Sequence, residues 1–365
     1  MKMLMDNEKI STRQAIVFLI SVAVGVGILS LPRQVDEKAG QDGWISIIIG
    51  GIFTLIGSII VAAVVSRQKK DVVKITEDLM GKFASIVVGM FYIVYFIVMA
   101  AVVNQTFAEV SNLYLLENTP KEFTIITMLL LVFYACRIGI EPTVRAIMIL
   151  FPFATFLFIF IIFTCLSRAK IDEILPFFST PVNKIFTASF ESLFSLEGFE
   201  LLLVLGPYLR RPEKAKKIVI IYTEIVTFFY VFITLVTFMV LGKNETKLFK
   251  WPVFMMIKGI TAPGEIFERM DAIAISIWVI EIFTTVVAYY FAAIQILKSL
   301  LGLKEQRYIG GILFPLFYFI TNMPKNFTEN QIIAGFANYL IYPAAFIIPL
   351  LVYIISIFKK TGEES

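Results

Sequence analysis

The stretch GVGILSLPRQV, Gly25–Val35, decides how this chain is read. It lies inside an apolar run that begins around Ala15 and is long enough to cross a bilayer. Two glycines and a proline weaken a helix. In hydrocarbon, freed backbone groups are tolerated only where protein buries them or where they line a polar cavity. The stretch therefore predicts a broken first span, with Gly25, Val26 and Gly27 offering backbone rather than side chains to a ligand. An unwound N–H end attracts a carboxylate, and freed carbonyls attract an ammonium or a cation. The competing reading is that glycines are frequent in membrane helices and help them pack.

The rest of the chain supports a membrane protein. Of its 365 residues, 58% are hydrophobic and only 16% charged. Apolar runs recur from end to end, without the short alternating strands of a β-barrel. The basic flank of Lys2, Lys9 and Arg13 would suit a signal peptide, but the run continues to Pro32 and further spans follow, so it reads as a retained first helix. We expect an all-α polytopic protein of about ten spans. Their approximate limits are Thr12–Val35, Gly43–Ser66, Phe83–Leu113, Phe123–Cys136, Glu141–Leu166, Ile185–Tyr208, Ile218–Leu241, Met270–Leu300, Tyr308–Asn322 and Ile332–Phe358. Loop charge sets the orientation. RQKKDVVK, CRIGIEPTVR, LRRPEKAKK, LKEQR and FKK fall on one side, which predicts cytoplasmic N- and C-termini.

Transporter folds often contain inverted repeats. Here the single membrane domain, 1–365, divides into 12–166 and 185–358. The first span of each half carries a break: Gly25–Gly27 in one, SLEGFELLLVLGP (Ser195–Pro207) in the other. A long segment separates the second and third spans of each half. Five spans per repeat give the halves opposite orientation.

There is no histidine, and the only cysteines are Cys136 and Cys165, in or beside apolar runs. No metal site, disulfide framework, cofactor or nucleic-acid partner is expected, and no nucleophile–base pair suggests an enzyme.

GVGILSLPRQV resembles the Gly-x-Gly-Ile signature in the first helix of amino acid permeases of the APC superfamily. With CRIGIEPTVRAIMILFP (136–152), EGFELLLVLGPYLRRPEKAKK (197–217) and FERMDAIAISIWVIEIF (267–283), the chain resembles the spore germination permeases, the B subunits of nutrient germinant receptors in endospore-forming bacteria. Pro142 departs from the family's arginine motif. The resemblance implies a LeuT-like fold with a small-molecule site between helices one, three, six and eight. It also implies a sensor of a nutrient such as an amino acid, acting with an A subunit and a lipoprotein C subunit in the spore inner membrane.

Candidate ligand-binding residues follow. On the sixth span they are Glu197, Gly198, Phe199 and Glu200, since a carboxylate in an apolar span is costly and marks function by default. The alternative is that both acids accept hydrogen bonds from neighbouring helices. On the eighth span, Thr284 and Thr285 offer hydroxyls to a ligand or, as in sodium-coupled relatives, to an ion, although threonine also bonds its own helix. Glu281 lies one turn before Thr285. Tyr95 and Met99 are the candidates on the third span. Arg137, Glu141 and Arg145 are spaced four apart, so both arginines are expected to reach Glu141 on one helix, as an anchor or a partner-docking surface. LFKWPVFMMIKGI reads as an amphipathic helix over the outer mouth.

Two rivals remain at this stage. An ion-coupled amino acid transporter would use the same site, although the fifth span lacks the lysine of some proton-coupled relatives between Arg145 and Arg168. A scaffold with a degenerate site fits poorly with intact Gly25 and Gly27.

Overall fold

The computed structural model describes residues 9–25, 27–259, 270–303 and 309–363. Val26 and Tyr308, both named above, lie outside them. The described residues are almost entirely helical, with one isolated bridge between Ile10 and Leu209.

The first span is broken where expected. α1 (Thr12–Ala23) opens on a reciprocal cap. The Ser11 N–H donates to Gln14 Oε1 at 2.7 Å, and the Gln14 N–H donates to Ser11 Oγ at 3.3 Å. This satisfies two of the helix's orphan donors. α2 (Gly27–Ala39) resumes beyond the break with Pro32 inside it. Five helices follow: α3 (Gly43–Gln68), short α4 (Val72–Met80), α5 (Lys82–Tyr114), α6 (Lys121–Ile138) and α7 (Ile140–Cys165).

The sixth span is broken as well. α8 (Val182–Ser192) ends early, and helical winding returns only at Phe199–Leu201, continuing through α9 (Leu202–Leu205) to Tyr208. Gly198 between them has φ +119°, a conformation that side chains other than glycine rarely adopt. The rest are α10 (Ala215–Leu241), α11 (Pro252–Lys258), α12 (Met270–Leu301), α13 (Ile309–Asn322), α14 (Phe327–Ile341) and α15 (Ile348–Glu363). α14 and α15 run on through a π-helical turn at Tyr342–Ile347 and make the tenth span.

Among the described residues six helical stretches are long and apolar enough to cross a membrane, and Thr12–Ala23, Phe199–Tyr208 and Ile309–Asn322 are shorter apolar helices. The short ones include a half of each broken span. Phe83, Phe153, Phe228 and Ile332 are largely exposed on the outside, as a lipid-facing surface requires. The interior holds the broken spans. α1 packs against α7, α10 and α12, α2 packs against α8, and α12 runs along α5.

One expectation fails here. Arg137, Glu141 and Arg145 do not share a helix. Gly139, at φ +115°, separates α6, which carries Arg137, from α7, which carries the other two. Glu141 pairs with Arg145 alone, at 3.1 Å from its Nε. Arg137 enters no ion pair among the described residues. Four-residue spacing implies proximity only along one continuous helix, and a left-handed glycine breaks that continuity.

Candidate ligand site at the two breaks

A helix end leaves its last carbonyls without intrahelical donors. At the end of α1 these carbonyls belong to residues deep in the protein, where an unmet acceptor costs about 1–3 kcal/mol. Three side chains from distant spans meet them. Thr285 Oγ1 lies 2.8 Å from the Val22 carbonyl and 3.0 Å from that of Glu281, so its one hydrogen serves one at a time. The Tyr230 hydroxyl donates to the Ala23 carbonyl at 2.6 Å. The Trp278 indole N–H donates to the Gly25 carbonyl at 2.9 Å.

The glycines on either side of the break are needed for close approach. A Cβ on Gly25 would strike Thr285 Oγ1, and its distance to Thr285 Cβ would be 3.3 Å. A Cβ on Gly27 would lie 2.6 Å from Ser195 Cβ. The two breaks thus touch, Gly27 against Ser195. The Ser195 hydroxyl is buried there with no hydrogen-bond partner among the described residues.

The sixth-span break is built differently. Glu200 turns back and accepts the Gly198 N–H at 2.8 Å. The Tyr95 hydroxyl lies 3.3 Å from Glu197 Oε2 and 3.1 Å from Glu200 Oε1, and its one hydrogen cannot serve both. Tyr289 bonds Glu197 as well. Tyr222 supports the backbone, donating to the Leu196 carbonyl at 3.0 Å or to that of Glu197. Both glutamates are buried, and neither enters an ion pair with a described residue. The result is a ring of phenols around two carboxyl groups whose lone-pair sites outnumber the donors that meet them.

The other candidates fall into two groups. Gly25, Gly27, Glu197, Gly198, Glu200, Tyr95 and Thr285 surround the breaks. Met99 is buried one turn along α5 from Tyr95. Thr284 does not join its neighbour: adjacent helical residues point about 100° apart, and its hydroxyl donates to the Ile280 carbonyl of its own helix at 3.0 Å. Phe199 packs edge-on against Phe346 of the π-helical turn, with ring centres 6.0 Å apart, rather than over the break. Arg137, Glu141 and Arg145 lie at the α6–α7 junction, apart from the site. Sequence reading missed Tyr222, Tyr230, Trp278, Tyr289 and Ser195. The available signal was a polar-tipped aromatic side chain in the middle of an apolar span, which must find a partner when buried.

The two ends of the site differ. On the side of the N-terminus, the chain before α1 is stitched to the end of the sixth span. The Ile10 N–H donates to the Tyr208 carbonyl at 2.8 Å, the Arg210 N–H to that of Ile10 at 2.9 Å, and Lys9 Nζ to that of Pro207 at 2.6 Å. On the opposite side a polar hollow of about 220 Å³ is lined by Gln34, Thr106, Phe194 and Asn338 among others.

Known proteins share this architecture. The sequence profile of the family described as "Spore germination protein" matches residues 9–330. Spore germination protein YndE of Bacillus subtilis is 26% identical, over 99% of this chain and 100% of its own length. Spore germination protein B2 of the same organism is 24% identical, over 98% of each chain. Spore germination protein GerLB of Bacillus cereus is 22% identical, again over 98% of each. Among solved structures, the nucleobase-cation-symport-1 family transporter Mhp1, closed with bromovinylhydantoin bound, superposes with a TM-score of 0.70 at 12% identity. It covers 93% of this chain and 77% of its own. MhsT in complex with L-phenylalanine gives 0.60 at 13% identity, covering 94% and 97%. Those likenesses establish the fold: a LeuT-like membrane protein whose two five-span halves each begin with a broken helix. By its match along most of its length, the chain belongs to the spore germination permease family.

Proposed function

We propose that this protein is the membrane subunit of a spore nutrient-germinant receptor. It binds a small nutrient, an amino acid, between the two breaks and passes a conformational change to A and C partner subunits. In this reading it sits in the spore inner membrane with both termini on the core side, and it catalyses no reaction. Binding must favour one state over another for anything to be signalled.

The observation that carries this reading is the contrast in hydrogen bonding at the two breaks. Glu197 and Glu200 have more lone-pair sites than the phenols and backbone N–H groups fill, and no cationic partner among the described residues, so a ligand ammonium could add donors there. The first N–H groups of α2, which have no acceptor within their own helix, suit the ligand carboxylate. The complex of MhsT with L-phenylalanine, in the same fold, supports an amino acid as the class.

An ion-coupled transporter is the second reading, and the first break weighs against sodium coupling there. A sodium ion needs several oxygen ligands, with carbonyl and hydroxyl groups suiting a hard cation. Tyr230 and Trp278 direct donor hydrogens at two of the carbonyls such an ion would use. The test is a screen of amino acids for binding to purified protein, paired with uptake into vesicles containing it. Binding without uptake is expected. Robust uptake would replace the sensor reading with the transporter, and no binding by any amino acid would remove the ligand class.

A further inference from the structure

A second polar feature lies on the other side of the first break, away from the carboxylates of the sixth span. A small cavity of about 10 Å³ is bounded by Val24 and Ile28 from the two halves of the first span. Thr155 and Phe158 come from α7, Phe229 from α10, and Trp278 and Glu281 from α12. That volume, measured as space open to the centre of a water, is about enough for one molecule. Two polar atoms in its wall are buried and have no hydrogen-bond partner among the described residues: Glu281 Oε2 and Thr155 Oγ1.

Empty cavities in proteins are apolar, and buried polar groups that lack a protein partner are met by water. An ionised carboxylate here would face three aromatic rings with no cation, which desolvation makes unfavourable. The wall's side chains offer a metal ion only one carboxyl and one hydroxyl. The groups facing Glu281 are few. α7 brings Thr155 and α10 brings the Tyr230 phenol, already committed to the Ala23 carbonyl. α12 itself brings Trp278, committed to Gly25, and Thr285. Among the described residues the cavity wall holds no Lys, Arg or second acid.

We propose that this cavity binds one water molecule, which bridges Glu281, held as the neutral acid, to Thr155 across the back of the first-span break. Glu281 donates its proton to the water or takes one hydrogen from it, and Thr155 completes the chain. Val24 and Ile28 flank the joint between α1 and α2, so movement of one half against the other reshapes this site. The water and the proton are retained only while the joint keeps its present geometry.

Infrared spectroscopy of the purified full-length protein tests this without any nutrient, so its outcome is separate from that of the nutrient-binding reading. A protonated carboxyl group has a carbonyl stretch distinct from that of a carboxylate. With glutamate labelled by carbon-13 to identify the band, wild type near neutral pH is expected to show an acid band that Glu281→Gln removes. Thr155→Val, which deletes the hydroxyl at nearly constant volume, is expected to shift that band without abolishing it. Exchange of sodium for potassium is expected to leave it unchanged. Wild type and Glu281→Gln alike in the acid region would overturn the proposal, because Glu281 would then be ionised. A band that disappears in sodium would overturn it too, by making a cation the occupant. Should Glu281→Gln fail to fold, labelled wild type and Thr155→Val decide between the same outcomes: a shifted band supports the bridge, and no shift refutes it.

Discussion

The two breaks solve one problem in opposite ways. At the first, the exposed groups are backbone carbonyls, and Thr285, Tyr230 and Trp278 bring a donor to each. At the sixth, the groups to be met include two carboxyls, and the donors nearby are fewer than the lone-pair sites they face. The first is therefore a joint held by the protein itself. The sixth is open to a donor from outside, which is where a ligand ammonium gains most. A transporter that binds sodium at the first break would need its carbonyls free for the ion.

The largest expected effect comes from filling the contact between the breaks. Gly27→Ala places a Cβ against Ser195 and the Tyr230 hydroxyl, so the two spans must separate. Overpacking of this kind costs about 1–3 kcal/mol. The nutrient response is expected to be lost or shifted to much higher concentration, while the protein still reaches the membrane. An unchanged dose–response curve would show that the breaks do not need to touch.

Next comes the asymmetry between the two acids. Glu200 caps the Gly198 N–H, whereas Glu197 is held only by phenols. Glu200→Gln alters the carboxyl group that accepts the Gly198 N–H, a hydrogen bond worth about 0.5–1.5 kcal/mol, and is expected to lower thermal stability in detergent. Glu197→Gln is expected to spare stability and weaken ligand binding. If the two variants exchange these phenotypes, the roles assigned to the acids are reversed.

Trp278→Phe removes the donor to the Gly25 carbonyl and keeps most of the ring. It is expected to destabilise the protein by about 1–3 kcal/mol, as a buried acceptor left unmet does. Thr285→Val is expected to cost less, about 0.5–1.5 kcal/mol, since its hydroxyl is shared between two carbonyls. Thermal denaturation of both variants sharpens the comparison: equal losses would mean that the three donors are not distinct caps. Arg145→Ala removes a largely exposed partner of Glu141 and is expected to change stability by less than about 1 kcal/mol.

The positions of both breaks were legible in the sequence, because Gly25, Gly27 and Gly198 stand out against apolar runs and a broken helix in a membrane needs a reason. The span limits followed from the same runs and agree with the helices to within a few residues, as with Phe83–Leu113 against Lys82–Tyr114. The caps of the first break were not legible. Trp278 and Tyr230 lie more than two hundred residues from the carbonyls they meet. In a chain with 36 phenylalanines and 14 tyrosines, a polar-tipped aromatic in an apolar span signals that it needs a partner but not which carbonyl it meets. Thr284 and Thr285 looked equivalent as letters, but only one side chain of an adjacent helical pair can face the break. Arg137 looked joined to Glu141 because spacing alone does not show that Gly139 turns left-handed.

The central claim is that protein donors, and not an ion, hold the first break in its ligand-binding form. It is tested most directly by titrating wild type with an amino acid that binds, in sodium and in potassium at equal ionic strength. Because linkage is reciprocal, an ion bound at the first break that favours the ligand must raise ligand affinity when it is present. The account predicts dissociation constants that agree between the two salts, and Thr285→Ala weakened equally in both. A tenfold gain in sodium, about 1.4 kcal/mol, that disappears in Thr285→Ala would contradict it.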